Sequence, residues 1–106
     1  MKPDLDRLTR ERKEAWTGDA VLALFVREWI LREKDSLDGD MFIRFTSNDF
    51  LRQLGNPTSV EAEIGRVYRD EGLAAAFAHI EEHLLPVFIR CEKARDQRIR
   101  SGQLKK

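Results

Sequence analysis

A chain of 106 residues has room for one domain with a modest core, and domains of this size often gain stability by associating. Hydrophobic residues at 42% and charged residues at 36% exclude a disordered chain, and no apolar run approaches the ~20 residues needed to cross a bilayer. The net charge is zero but uneven: residues 1–40 carry eight Lys/Arg against ten Asp/Glu, residues 41–86 four against seven, and residues 87–106 seven against two.

The first residues, Met1 to Asp6, lack the apolar stretch of a signal peptide. Residues 5–16 read as a polar helix or helical turn. Ala20 to Leu31 is apolar on nearly every side (Val21, Leu22, Leu24, Phe25, Val26, Trp29, Ile30), which marks a helix central to the core. Asp35 to Asp40 reads as a loop. Thr46-Ser47-Asn48 is suited to cap a short helix through Leu54, stopped by Gly55-Asn56-Pro57. A further helix is predicted from about Thr58 to Asp70 or Glu71, ending at Gly72. Leu73 to Leu85 follows, with Phe77, Ile80 and Leu84 on one face, and Pro86 breaks or restarts the helix. The last helix runs from Val87 to about Arg100, apolar early and basic late. No alternating run of β-branched residues persists, so the predicted class is all-α. A single domain over residues 1–106 is expected, with its core at about 8–90 and a basic C-terminal helix and tail at 91–106.

Glycine inside a helix is ~1 kcal/mol worse than alanine, so Gly65 needs an offsetting gain. Close helix–helix approach supplies one. Glu61 lies one turn before Gly65 on the same face, and if that face packs near Gly18, Asp19 and Glu61 meet. Acids beside apolar surface need a hydrogen bond, a cation or a metal ion. Two carboxylates from separate helices are a minimal unit for metal-assisted hydrolysis of a phosphodiester. Local pattern equally allows plain caps: Thr17-Gly18-Asp19 as a helix start and Thr58-x-x-Glu61 as a capping box.

These residues carry a resemblance. Trp16-Thr17-Gly18-Asp19-Ala20-Val21-Leu22, with Val26-Arg27-Glu28 after it, resembles the signature of ribonuclease III endonuclease domains. The run Val60-Glu61-Ala62-Glu63-Ile64-Gly65-Arg66-Val67-Tyr68, continuing through Asp70-Glu71-Gly72-Leu73, Phe77, Ile80 and His83-Leu84-Leu85-Pro86, is similar to that family's second motif and the helix after it. Phe45-Thr46-Ser47-Asn48 resembles the connecting segment, and the matches cover most of residues 14–88 in the right order. The resemblance implies an all-helical, dimeric endoribonuclease that cuts double-stranded RNA with Mg²⁺ or Mn²⁺ held by acidic side chains. Asp19 matches the aspartate of the family's Gly-Asp, and Glu61 the glutamate before its Ala-x-Ile-Gly, so both are expected to be catalytic and metal-holding. Trp16 falls where the family places an aromatic residue that inserts into the partner subunit.

Two positions depart from the full-length bacterial enzymes. Their glutamate four residues before the Gly-Asp aspartate is Ala15 here, with Glu14 displaced by one, and their aspartate three residues before the second glutamate is Thr58. The compact Mini-III branch, which has no separate RNA-binding domain, carries a small residue and a threonine-like residue at these places and is the nearer likeness. The present chain is shorter still between the motifs, by a helix or so. Glu14, Glu63 and Asp70 are candidate helper acids, and Lys93, Arg95, Arg98, Arg100, Lys105 and Lys106 are candidate RNA contacts, or else a solvated helix end.

The expected function is therefore a divalent-cation-dependent endoribonuclease acting on double-stranded or structured RNA as a homodimer. The alternatives are a catalytically silent relative that binds RNA or a ribonucleoprotein, and a helical dimerisation module. His79-Ile80-Glu81-Glu82-His83 also fits an inverted zinc-protease pattern, though the bland reading is a polar outer face. Asp35 to Asp40 lacks the ligand spacing of a calcium loop. The lone Cys91 excludes an internal disulfide, reads as inert packing, and points to a reducing cytoplasm.

Overall fold

Six helices account for the secondary structure of residues 5–104, which the computed structural model describes. They are α1 (Leu5–Lys34), α2 (Gly39–Thr46), α3 (Asn48–Leu51), α4 (Pro57–Glu71), α5 (Leu73–His83) and α6 (Leu85–Arg100). No strand occurs among the described residues, in agreement with the all-α expectation. None of these helices is long and apolar enough to cross a membrane.

The apolar half of α1 forms the spine. Val21, Leu22, Phe25, Val26 and Ile30 are buried, and every other helix contributes to the core around them: Met41 and Phe45 from α2, Phe50 and Leu51 from α3, Ile64 from α4, Ala76 and Ile80 from α5, and Phe88 from α6. Phe45 and Phe88 stack at 4.2 Å, with Phe50 edge-on to both at 5.3 Å and Trp29 edge-on to Phe88 at 6.0 Å. Such ring pairs add roughly 0.5–1.5 kcal/mol each beyond the area they bury. Arg44 donates from Nε and Nη2 to the Glu92 carboxylate, at 2.9 and 2.7 Å, and fastens α2 to α6.

Several boundaries differ from the sequence expectation, two of them substantially. First, α1 is one continuous helix through Thr17-Gly18-Asp19, where a polar segment and a separate helix from Ala20 were expected. The reason is the crossing with α4. A methyl carbon built on Gly18 would overlap the Glu61 carbonyl oxygen and sit 2.9 Å from the Gly65 nitrogen. One built on Gly65 would overlap the Glu14 carbonyl oxygen and sit 3.1 Å from the Gly18 nitrogen. The two backbones touch, and the close approach offsets the poor helix propensity of both glycines. Second, the Asp35 to Asp40 loop is shorter than expected, because α2 begins at Gly39 with Asp38 as its cap. The Lys34 ammonium at 2.8 Å and the Met41 amide at 3.0 Å hold Asp38 below the usual carboxylate range. That acid is a cap, not a calcium ligand.

The remaining boundaries follow their local chemistry. Ser47 caps α3 through the Phe50 amide at 3.1 Å, although α3 ends at Leu51 rather than Leu54. Asn56 caps α4 through the Ser59 amide at 3.1 Å, Pro57 occupies the first turn, and Gly72 stops the helix at a φ of 96° that favours glycine. Pro86 sits in the first turn of α6. Phe25 is buried, while Trp29 and Cys91 are partly buried against the core.

Candidate functional site

The glycine crossing fixes what lies beside it. Gly18 rests on the backbone of Glu61, and the Glu14 backbone rests on Gly65, so α1 and α4 run antiparallel at this point. Asp19 is the next residue along α1, and its side chain reaches that of Glu61. The two acids share an open cleft of about 290 Å³ with Arg12, Ala15, Trp16 and Thr58.

This geometry removes both capping alternatives. Asp19 lies in the middle of a 30-residue helix, far from either end. Glu61 is in the second turn of α4, whose cap is Asn56, with Thr58 already helical.

Glu61 is half-buried, and its pKa is pushed up to about 7. Burial is the main cause, followed by the hydrogen bond to Asp19 and then by the Asp19 charge. Near pH 7 the Glu61 carboxyl group is therefore about half protonated. A divalent cation would replace that proton and relieve the same repulsion. The donors are hard oxygens, the class that Mg²⁺ and Mn²⁺ take, and one or two carboxylates completed by waters and phosphate oxygens suffice for Mg²⁺. Among the described residues no group of three His, Cys, Asp or Glu side chains converges to hold a metal ion.

The candidate helper acids are turned elsewhere. Glu14 accepts from the Arg69 guanidinium and lines a separate cleft with Lys13, Thr17, Tyr68 and Arg69. Glu14 is one residue before Ala15, the place where the resemblance leads one to expect an acid, and one residue is ~100° around α1. Asp70 is paired with Arg69 at 3.0 Å and Glu63 with Arg66.

Trp16 stands at the cleft rim, 82% exposed. Of the candidate RNA contacts on α6, Lys93, Arg98 and Arg100 are exposed and Arg95 is half-buried, and none of them lines the acidic cleft. Lys105 and Lys106 lie outside the described residues. His79 and His83 face a different cleft with Glu63, their ring centroids 4.8 Å apart. Burial, then the neighbouring His83, lowers the His79 pKa, and among the described residues no third His, Cys, Asp or Glu joins them to hold a metal ion.

Sequence reasoning passed over Arg12. Its spacing of seven from Asp19 was the available signal, since two turns bring a residue back to the same helix face. Thr58, which departs from the ribonuclease III pattern in the sequence, lines the cleft one turn before Glu61.

No family model matches the chain. Neither the curated proteins nor the solved structures compared with it gave a match.

Proposed function

We propose that the chain is a divalent-cation-dependent endoribonuclease of ribonuclease III type, cutting double-stranded or structured RNA as a homodimer. The observation that carries this reading is the meeting of Asp19 and Glu61, 42 positions apart in sequence, in one open cleft. Hydrolysis of a phosphodiester needs a polarised phosphoryl oxygen, an activated water and a stabilised leaving oxygen. Mg²⁺ or Mn²⁺ bound there would supply Lewis acidity and lower the pKa of a coordinated water.

The chain's own residues have defined tasks in this reading. Asp19 and Glu61 would hold the cation, which would favour the ionised form of Glu61. The rigid backbone contact at Gly18 and Gly65 keeps the two carboxylates in register. Trp16 is a contact with the second subunit, whose two-fold copy would put two such sites on one surface. An A-form duplex is recognised largely through its shape, phosphates and 2′-hydroxyls, which suits cutting without base readout. The cations of α6 then contribute phosphate attraction that weakens with salt. The lone Cys91 fits a reducing cytoplasm.

One observation favours a second reading, a catalytically silent RNA- or ribonucleoprotein-binding domain. The three candidate helper acids are all paired with arginines, which leaves two carboxylates at the site. Asp19→Asn separates the possibilities. Duplex RNA incubated with Mn²⁺ should be cut by the wild type, while the variant should lose at least ~100-fold in rate with its helical spectrum intact. If the wild type binds duplex RNA but yields no product at any enzyme concentration, the silent reading holds.

A further inference from the structure

We propose that Arg12 is a phosphate-anchoring residue of the Asp19–Glu61 site, gripping a backbone phosphate that neighbours the one lying against the two acids. The proposal rests on the nuclease reading and adds to it a residue that binds the substrate backbone.

Arg12 and Asp19 occupy the same face of α1, and both line the cleft that also holds Glu61. Seven residues at 1.5 Å rise separate their Cα atoms by roughly 10 Å along the helix axis. Helical side chains lean toward the N-terminus, so the Arg12 guanidinium points further from the acids. It makes no hydrogen bond or ion pair among the described residues, whereas Arg44, Arg52, Arg66 and Arg69 each hold a carboxylate. A guanidinium that is exposed, unpaired and set on the wall of an acidic cleft is available to a ligand.

The chemistry of the cleft calls for such a group. Two carboxylates repel an RNA strand, and a single divalent cation between them does no more than cancel their charge. A further positive charge on the same wall is needed for net attraction of the polyanion. The guanidinium fork matches two phosphate oxygens at once, which adds orientation to attraction. Arg12 thus sets where along the strand the acids fall.

The test measures binding of a mixed-sequence RNA duplex to the whole chain at several salt concentrations, and cutting in Mg²⁺, for wild type, Arg12→Ala, Arg12→Lys and a control outside the cleft, Arg32→Ala. Arg12→Ala should bind ~10-fold more weakly near physiological salt, with the slope of log affinity against log salt reduced by about one. KM should rise more than kcat falls. Arg12→Lys should keep the salt slope but recover only part of the affinity, and Arg32→Ala should match wild type. The thermal midpoint of Arg12→Ala should equal that of wild type, and its Mn²⁺ affinity without RNA should be equal or tighter. An unchanged salt slope and affinity in Arg12→Ala overturns the proposal while leaving the nuclease reading standing. Weaker Mn²⁺ binding or a lowered midpoint also overturns it, because either means that Arg12 orders the protein. A wild type that neither binds nor cuts duplex RNA overturns both.

Discussion

Replacing Glu61 by glutamine should make the protein more stable at alkaline pH, and the size of the gain follows from the site. A carboxyl group whose folded pKa is about 7, against 4.5 for the free side chain, binds its proton more tightly when folded. Between those values the folded chain holds more protons than the unfolded one, so stability falls as pH rises through this window. Above pH 7 both states are ionised and the full penalty remains. At ~1.4 kcal/mol per tenfold change, the limiting penalty is ~3 kcal/mol. Glu61 is only half-buried, so solvent screening reduces this to ~1–2 kcal/mol. Glutamine keeps the shape and the hydrogen bond to Asp19 without the charge. For a chain of this length the relief corresponds to a rise of ~5–10 °C in thermal midpoint. The assay is thermal unfolding by circular dichroism at pH 5 and pH 8 in EDTA. His79 moves the wild-type curve the other way, because burial, then His83, lowers its folded pKa and stability is lost as pH falls through that pKa. Only the difference between variant and wild type is therefore diagnostic. It should be near zero at pH 5 and ~5–10 °C at pH 8. Mn²⁺ at pH 8 should raise the wild-type midpoint and leave the variant's nearly unchanged. A variant no more stable than wild type at pH 8 would refute the argument that burial, with Asp19 beside it, penalises the ionised form of Glu61.

The other predictions concern the crossing and the rim. Gly65→Ala puts a methyl group into the Glu14 carbonyl, where a rigid backbone cannot turn aside; overpacking of ~1–3 kcal/mol or more should outweigh the ~1 kcal/mol gain in helix propensity. Its midpoint should fall by at least ~5 °C, and an unchanged value would mean that the helices separate freely. Trp16→Ala removes an exposed ring that supports no internal packing, so the monomer's stability should hold while a wild-type dimer seen by sedimentation dissociates. A monomeric wild type at micromolar concentration would rule out the interface role.

The elements that sequence exposed are those marked by local stereochemistry. Ser47, Asn56-Pro57, Gly72 and Pro86 act on their own backbones, so each signals its boundary without knowledge of any other segment. The misplaced boundaries have the opposite character. Thr17-Gly18-Asp19 carries the chemistry of a helix start, and only a second helix seated on Gly18 keeps α1 unbroken. The eight-residue α2 is held by Phe45 in the aromatic cluster and by Arg44 on Glu92, 48 residues away, which no local window contains. The site divides in the same way. Gly65 inside a helix signals a close approach, and from that the meeting of Asp19 and Glu61 could be anticipated. The pairing of Glu14 with Arg69 and the exposure of Arg12 depend on the antiparallel register of α1 on α4, which a sequence does not display.

That register ties the stability of the domain to its proposed chemistry. The backbones of α1 and α4 touch at the two glycines, and the two acids flank that contact within one residue of Gly18 and one turn of Gly65. A slip of one helix along the other would displace the carboxylates by ~1.5 Å for each residue of slip. The crossing excludes such slips because a side chain larger than hydrogen cannot pass it. The fold therefore accepts a repelling pair of acids at its tightest point, where a less closely packed pair would move apart or turn to neighbouring arginines as Glu14, Glu63 and Asp70 do. In the proposed reading, a divalent cation would offset the penalty that burial and the neighbouring Asp19 place on ionised Glu61. The same penalty explains why glutamine at position 61 should strengthen the domain while abolishing the site.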